Sequence, residues 1–358
     1  MRLQVCQVEE ANRLMETGLP EKAATYLSGL MAEGLDGLMI RLTYARALAA
    51  SGDMKSALEA ARETFRQNPD AFEAAVLLGE LLMRADLLPS AIGTLQQAME
   101  MEPESNQVHY LLGCAWLLAG EAERALTFFA EVDEDTPGLA DKIGKAERIL
   151  ARPRSDAAYV RHLFNFFSGN YDDHMLSQLQ YQAPVALRQL FDMLVPGLSG
   201  LEMLDLGCGT GLGAMAFRDV TRRIVGVDLS PRMIDQARKR NLYQAFLLAD
   251  IEHPVISEGS FDLVLAADTL VYLGDLSKVM ATARRALRAG GHFLFSVEKK
   301  DRDGYDLGPK RRWRHSENYL RLAASQAGLD LIGLIACEPR TENNQPVAGY
   351  AVALKKRA

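Results

Sequence analysis

The chain has 358 residues, of which 40 are basic and 47 acidic, giving a net charge of −7 with 48% hydrophobic residues. That length predicts two domains, each able to bury its own core, in a composition ordinary for a globular protein. No apolar stretch approaches the roughly 20 residues of a membrane span, and no basic amino-terminal region leads into an apolar run with a cleavage site, so a cytoplasmic protein with no membrane partner is expected. Cys6, Cys114, Cys208 and Cys337 are far apart with no metal-binding spacing, so no metal is expected. Charge is uneven: residues 1–150 hold 13 basic and 24 acidic residues, a net of −11, which leaves +4 for the remainder.

Residues 1–150 are rich in Ala, Leu, Met and Glu at helical spacing, which predicts an all-α domain. Within it a period is visible. Pro69, Pro103 and Pro137 are 34 residues apart, as are Ala45, Gly79 and Gly113, and Ala57, Ala91 and Ala125. Small residues let paired helices approach, and a proline cannot continue a helix, so each period reads as two helices and a turn. This pattern resembles the tetratricopeptide repeat, which implies a solenoid of about four units over residues 4–137, the first degenerate, capped by a helix over 138–150. The resemblance implies a groove that binds a protein partner or protein substrate, although a packing surface would show the same pattern.

Residues 151–157 (Ala-Arg-Pro-Arg-Ser-Asp-Ala) are polar and contain proline, as expected of a linker, leaving 158–358 as the second domain. An aromatic segment from Tyr159 to His174 follows, with Tyr171 after a Gly169-Asn170 turn. A helix is expected from about Met175 to Leu194, closing a segment over 158–195.

Met203 to Leu206 reads as a buried strand, followed at once by Gly207-Cys-Gly209-Thr-Gly211 and a helical run. Glycines allow a tight strand-to-helix turn and let a ligand reach the backbone. A second strand, Ile224 to Asp228, ends in a carboxylate 21 residues beyond Gly207, the distance at which such an acid receives ribose hydroxyls. A dinucleotide enzyme shares this arrangement, so a nicotinamide-dependent oxidoreductase is an alternative. It is disfavoured because Leu212 occupies the place of the third glycine of GxGxxG.

A third strand over 243–249 ends at Asp250-Ile251, where an acid can accept the adenine amino group and an apolar neighbour can cover the ring. The fourth runs from Phe261 to Asp268 with Tyr272 just beyond, and the fifth follows Gly290-Gly291. Strands near 329–336 and 347–354 complete seven in a mostly parallel Rossmann-like sheet with its site above the carboxyl ends, an α/β domain behind an α domain.

LDLGCGTG, VGVDLSPRMIDQAR, FDLVLAADTLVYLGDL and LRAGGHFLFSVE together resemble class I S-adenosylmethionine-dependent methyltransferases. RHSENYLRLAASQAGL and FNFFSGNYDDHM further resemble a bacterial group in which such domains are fused to tetratricopeptide repeats. The resemblance implies S-adenosylmethionine as cofactor, with Asp205, Gly207, Gly209 and Gly211 forming its turn. Asp228 would bind ribose, Leu229 and Ile251 would flank adenine, Asp250 would take its amino group, and Asp268 and Leu270 would border the methionine end. The 158–195 segment would be a lid, in which Tyr171 could offer a ring face to the sulfonium.

Methyl transfer is a displacement at an already electrophilic carbon, so a base is needed only if the acceptor must lose a proton. Tyr272 and His315 are the leading catalytic candidates, ahead of His292. Lys299 to Arg302 and Lys310 to His315 form a basic stretch over the acceptor side, suited to an acidic acceptor. Nucleic acid is unsupported, since no stacking module accompanies it. The expected activity is methylation of an unidentified oxygen or nitrogen, with a cofactor-binding scaffold acting through the repeats as the alternative.

Overall fold

The structure is a computed structural model describing residues 2–169, 171–308, 311–342 and 345–357. Asn170 of the expected turn and Lys310 of the basic stretch lie outside the described residues. The chain divides into two compact units, Met1–Ala151 and Arg152–Ala358. No helix among the described residues is long and apolar enough to cross a membrane.

The first unit is helical throughout. It runs α1 (Arg2–Glu16), α2 (Pro20–Ala32), α3 (Leu38–Ala50), α4 (Met54–Gln67), α5 (Phe72–Arg84), α6 (Leu88–Met101), α7 (Asn106–Leu118), α8 (Ala122–Phe129) and α9 (Leu139–Leu150). The 34-residue period is a helix pair. Ala45, Ala57, Ala91 and Ala125 are wholly buried, and Gly79 and Gly113 lie where each first helix crosses its second. A Cβ on Gly79 would stand 2.6 Å from Leu95 Cδ2, and one on Gly113 would stand 2.5 Å from Phe129 Cδ1, so only hydrogen fits. Helix α8 is short, and the acidic loop after it is tied back by Asn106, whose Nδ2 donates to Thr136 Oγ1 at 3.0 Å and whose Oδ1 accepts from Asp133 N at 2.8 Å. We expect Gly113→Val to destabilise the chain by about 1–3 kcal/mol through overpacking. Urea unfolding measures this, and a midpoint equal to wild type would refute the close crossing.

The second unit begins with α10 (Ala157–Phe167), α11 (Tyr171–Asp173), a π-helical turn (His174–Gln178) and α12 (Ala183–Leu194). The single helix expected over 175–194 is therefore broken. Pro184 is in the first turn of α12, where its missing N–H costs nothing, but a helix running through it would clash with the carbonyl of Gln180. Gln180 instead takes φ +46°, and the N–H groups of Gln182 and Ala183 donate to Pro339 O at 2.8 and 3.1 Å.

Then follow β1 (Leu201–Leu206), α13 (Leu212–Phe217), β2 (Thr221–Asp228), α14 (Pro231–Arg238), β3 (Ala245–Leu248), β4 (Phe261–Ala266), α15 (Ser277–Ala286) and β5 (Leu287–Lys299). The remainder is β6 (Tyr305–Leu307), β7 (Trp313–His315), α16 (Glu317–Gln326), β8 (Leu329–Cys337), β9 (Thr341–Glu342), β10 (Gln345–Pro346) and β11 (Gly349–Lys356). The seven expected strands form one sheet in the order β3-β2-β1-β4-β5-β11-β8, parallel except for β11, which is antiparallel to β5 and β8.

Both faces are covered, which explains strands that read as continuous apolar runs. On one face Leu204, Val264 and Phe293 meet α15 and α16; on the other Met203, Leu263 and Leu294 meet α12 and α13. Two features depart from expectation. The segment after β5 forms a β6–β7 hairpin, with β7 pairing in parallel with the end of β5. Residues 152–157, expected as a free linker, belong to the second unit: Pro153 O accepts from Gly274 N at 2.8 Å, and Arg154 pairs with Asp250 and Glu252.

Candidate cofactor and acceptor site

The turn after β1 demands its glycines. Gly207, Gly209 and Gly211 have φ of +71°, +52° and +95°, where a side chain is strained. At Gly207 the demand is double, because a Cβ there would also lie 2.5 Å from Thr269 Oγ1 at the end of β4. The turn is anchored on β2: Gly207 N and Cys208 N donate to Val227 O at 2.8 and 3.0 Å, and Gly209 N donates to Asp228 Oδ2 at 2.8 Å.

The other oxygen of Asp228 accepts from Ser230 N at 2.8 Å, and Ser230 caps α14 by accepting from Met233 N at 3.1 Å. Asp228 is nearly buried, and burial raises its pKa against the opposing effect of these backbone N–H groups. One carboxylate thus joins the glycine turn to the start of α14.

A cleft opens above these strand ends. Gly207, Gly209, Asp228, Leu229, Asp250, Ile251, Asp268, Tyr171 and Tyr272 all line it, so nine of the thirteen expected site residues converge. Asp250 is held by Arg154 at 2.9 Å. The lid supplies Val160, Phe164 and Tyr171, with Phe164 edge-on to Tyr171 and Tyr272 at centroid distances of 6.0 and 5.5 Å.

Phe164, Tyr171, Asp268 and Tyr272 also line a second chamber of about 890 Å3, walled further by Leu163, Phe167, Met175 and Leu179, with Arg312 and Glu342 at its polar edge. Burial raises the Tyr171 and Tyr272 hydroxyls, so both remain protonated at neutral pH.

Four expected residues are placed otherwise. His315 has no exposed surface, bonds Gly274 O through Nε2 at 3.0 Å and stacks on Tyr319 at 5.6 Å. Burial lowers its pKa to about 4, and it lines neither cavity. Leu270 is wholly buried in the core beside the sheet, because the 3-10 turn at Leu270–Tyr272 directs Tyr272 to the cleft and Leu270 away from it. Gly211 faces Arg240 and Tyr243 as the N-cap of α13.

Asp205 lies beneath the turn, 1% exposed, accepting from Tyr243 Oη at 2.7 Å. His292, the weaker histidine candidate, is buried edge-on to Phe191. Burial raises Asp205 to about 7, with the Tyr243 bond opposing and Asp228 reinforcing the shift. A carboxyl raised in the folded state contributes stability below its unfolded pKa and loses it as pH climbs through the folded value. Asp205→Asn should therefore gain on wild type by roughly 2–4 kcal/mol between pH 4 and 8. Urea unfolding across that window gives the difference, and a flat difference would sink the prediction.

The structure also uses residues that sequence spacing did not reveal. Asp172 of the lid accepts from Thr210 Oγ1 at 2.5 Å and pairs with Arg240, whose Nε donates to Thr210 O at 2.6 Å, so lid and glycine turn are clamped together. Asn165 Oδ1 accepts from Ser230 Oγ at 2.7 Å.

Arg340, wholly buried, pairs with Asp268 at 2.6 Å, with Glu342 at 2.8 Å and with Glu298. Part of the basic stretch is paired: Arg314 and Lys300 with Asp306 at 3.0 and 3.7 Å, and Lys299 with Asp301 at 3.3 Å. Among the described residues no cluster of three or more His, Cys, Asp or Glu could hold a metal.

A doubly wound sheet with a glycine turn and strand-end carboxylates, preceded by paired helices, defines a nucleotide-cofactor domain behind helical repeats. The family models agree: residues 204–295 match the methyltransferase domain, and 48–113 and 87–140 match the tetratricopeptide repeat. The chain thus joins tetratricopeptide repeats to a methyltransferase domain.

It is 40% identical over 95 residues to a malonyl-[acyl-carrier protein] O-methyltransferase of Hamiltonella defensa, covering 26% of this chain and 37% of that protein. It is 33% identical over 147 residues to the protein of the same description from Geobacter sulfurreducens, covering 40% and 54%. The chain therefore spans between about a third and about half of these relatives' length. A solved structure of a putative methyltransferase in complex with the Haloferax volcanii Trm112 methyltransferase activator is 19% identical with a TM-score of 0.46, covering 55% of this chain and 98% of that one.

Proposed function

We propose that residues 152–358 transfer a methyl group from S-adenosylmethionine to an oxygen or nitrogen acceptor, and that the repeats engage a protein, either the acceptor or its carrier. One observation carries the reading: the cleft at the ends of β1, β2 and β3 lies beside a second chamber, with Phe164, Tyr171, Asp268 and Tyr272 lining both. A donor site and an acceptor site that share a wall are what a displacement needs, because the reacting atoms must be aligned at contact distance.

The residues fit the cofactor. Asp228 and Asp250 present carboxylates for ribose and adenine, Leu229 and Ile251 present apolar surface for the ring, and the backbone of the glycine turn can receive the amino-acid end. When bound, the cofactor supplies an activated methyl carbon on a cationic sulfur. The rings of Tyr171 and Tyr272 favour that charge. The names of the relatives point to oxygen as the acceptor atom.

Calorimetric titration of the full chain with S-adenosylmethionine, S-adenosylhomocysteine and NAD tests this reading. Binding of both sulfur compounds without NAD is expected. NAD binding in their place would make the domain an oxidoreductase, and binding without methyl transfer to any acceptor would favour a scaffold.

A further inference from the structure

Arg312 is the group in the second chamber that methyl transfer as so far described leaves unused. Its side chain is 21% exposed and lies over the Tyr272 ring, 5.7 Å from the centroid. Among the described carboxylates it reaches Asp268 at 3.5 Å and Glu342 at 4.0 Å, too long for strong hydrogen bonds. The reason is Arg340, which already engages these two carboxylates at 2.6 and 2.8 Å.

A guanidinium has five N–H donors in a planar fork, and largely desolvated donors left without short bonds are costly. This fork borders a chamber walled by Leu163, Phe167, Met175 and Leu179 with Tyr159, His174 and Glu342, next to the residues shared with the cofactor cleft. The partner that matches it two-for-two is a carboxylate.

Charge narrows the class further. Asp268, Glu298 and Glu342 against Arg312 and Arg340 leave a net of −1, which the sulfonium of the bound cofactor would offset. A phosphate dianion would then leave the site at −2, and a carboxylate at −1 only until its charge is cancelled by transfer. A monoanion whose charge disappears in the reaction is the better match.

Resting on the methyltransferase reading, we propose that the acceptor is a small carboxylic acid with an apolar or aromatic body, gripped by Arg312 with one oxygen turned toward the methyl group. A lone pair of that oxygen forms the new O–CH3 bond while the CH3–S bond breaks and its electron pair returns to sulfur. The products are a neutral methyl ester and a neutral thioether. No proton moves, so no base is required, which agrees with a site whose histidine candidate is sequestered in the core.

The test uses the full chain saturated with S-adenosylhomocysteine. It is titrated with phenylacetate, hexanoate and the malonyl half-thioester of N-acetylcysteamine, each beside the corresponding primary amide. At least one acid should bind about tenfold or more tightly than its amide. With methyl-labelled S-adenosylmethionine that acid should give label released as methanol by mild alkali.

Arg312→Gln should abolish the preference and Arg312→Lys should keep part of it, with thermal midpoints verifying that both variants fold. No preference for any acid, a preference that survives in Arg312→Gln, or a product stable to alkali would overturn the proposal. Failure to bind S-adenosylhomocysteine at all would overturn the methyltransferase reading itself, and the first titration tells the two failures apart.

Discussion

Arg340→Met should lower the stability of the chain by about 3–5 kcal/mol at pH 7, the cost of removing one partner from a buried charge cluster. Its guanidinium has no exposed surface and binds three carboxylates, Asp268, Glu298 and Glu342, which are themselves 7%, 12% and 14% exposed. Without it these carboxylates repel one another in a poorly solvated place. Urea midpoints at pH 7 measure the loss. A loss below about 1 kcal/mol, in the range of a surface pair, would mean that the cluster relaxes onto water.

Asp228→Ala should weaken S-adenosylhomocysteine binding by about 100-fold, or roughly 3 kcal/mol. Two losses combine. The N–H groups of Gly209 and Ser230 lose their acceptor, which loosens both the glycine turn and the start of α14. The carboxylate proposed to receive the ribose hydroxyls also disappears, and hydrogen bonds to a charged group are worth about 1.5–3 kcal/mol. Asp228→Asn, which keeps an acceptor oxygen without the charge, should lose less. Calorimetry decides, and unchanged affinity in Asp228→Ala would remove Asp228 from the cofactor site.

The two variants probe sites of different legibility. Asp228 could be located from sequence because its position is local: a buried strand, a tight turn and the next strand place that carboxylate beside the glycines whatever the rest of the chain does. Arg340 could not. It is 72 residues from Asp268 and 42 from Glu298, and these three meet only because β4, β5 and β8 run in the same direction and finish at the same end of one sheet.

His315 shows the converse case, a placement that sequence order does not reveal. It is near the acceptor side in sequence order, but the β6–β7 hairpin turns it inward onto Gly274 and Tyr319. Leu270 is placed in the core for a smaller reason, since one 3-10 turn separates a residue that lines the cleft from one that fills the core.

From its sequence alone this protein declares two units, a 34-residue helical repeat, the seven strands and the glycine turn with its strand-end acids. Each of these rests on contacts between near neighbours or on a period repeated along the chain, which local spacing records. Tertiary structure alone decided the rest: the Arg154 contacts that draw residues 152–157 into the second unit, the Asp172 clamp on the turn, the Arg340 cluster, and an Arg312 left with donors to spare. These are charge pairings between segments distant in sequence, and which pairings form depends on where the sheet brings those segments together.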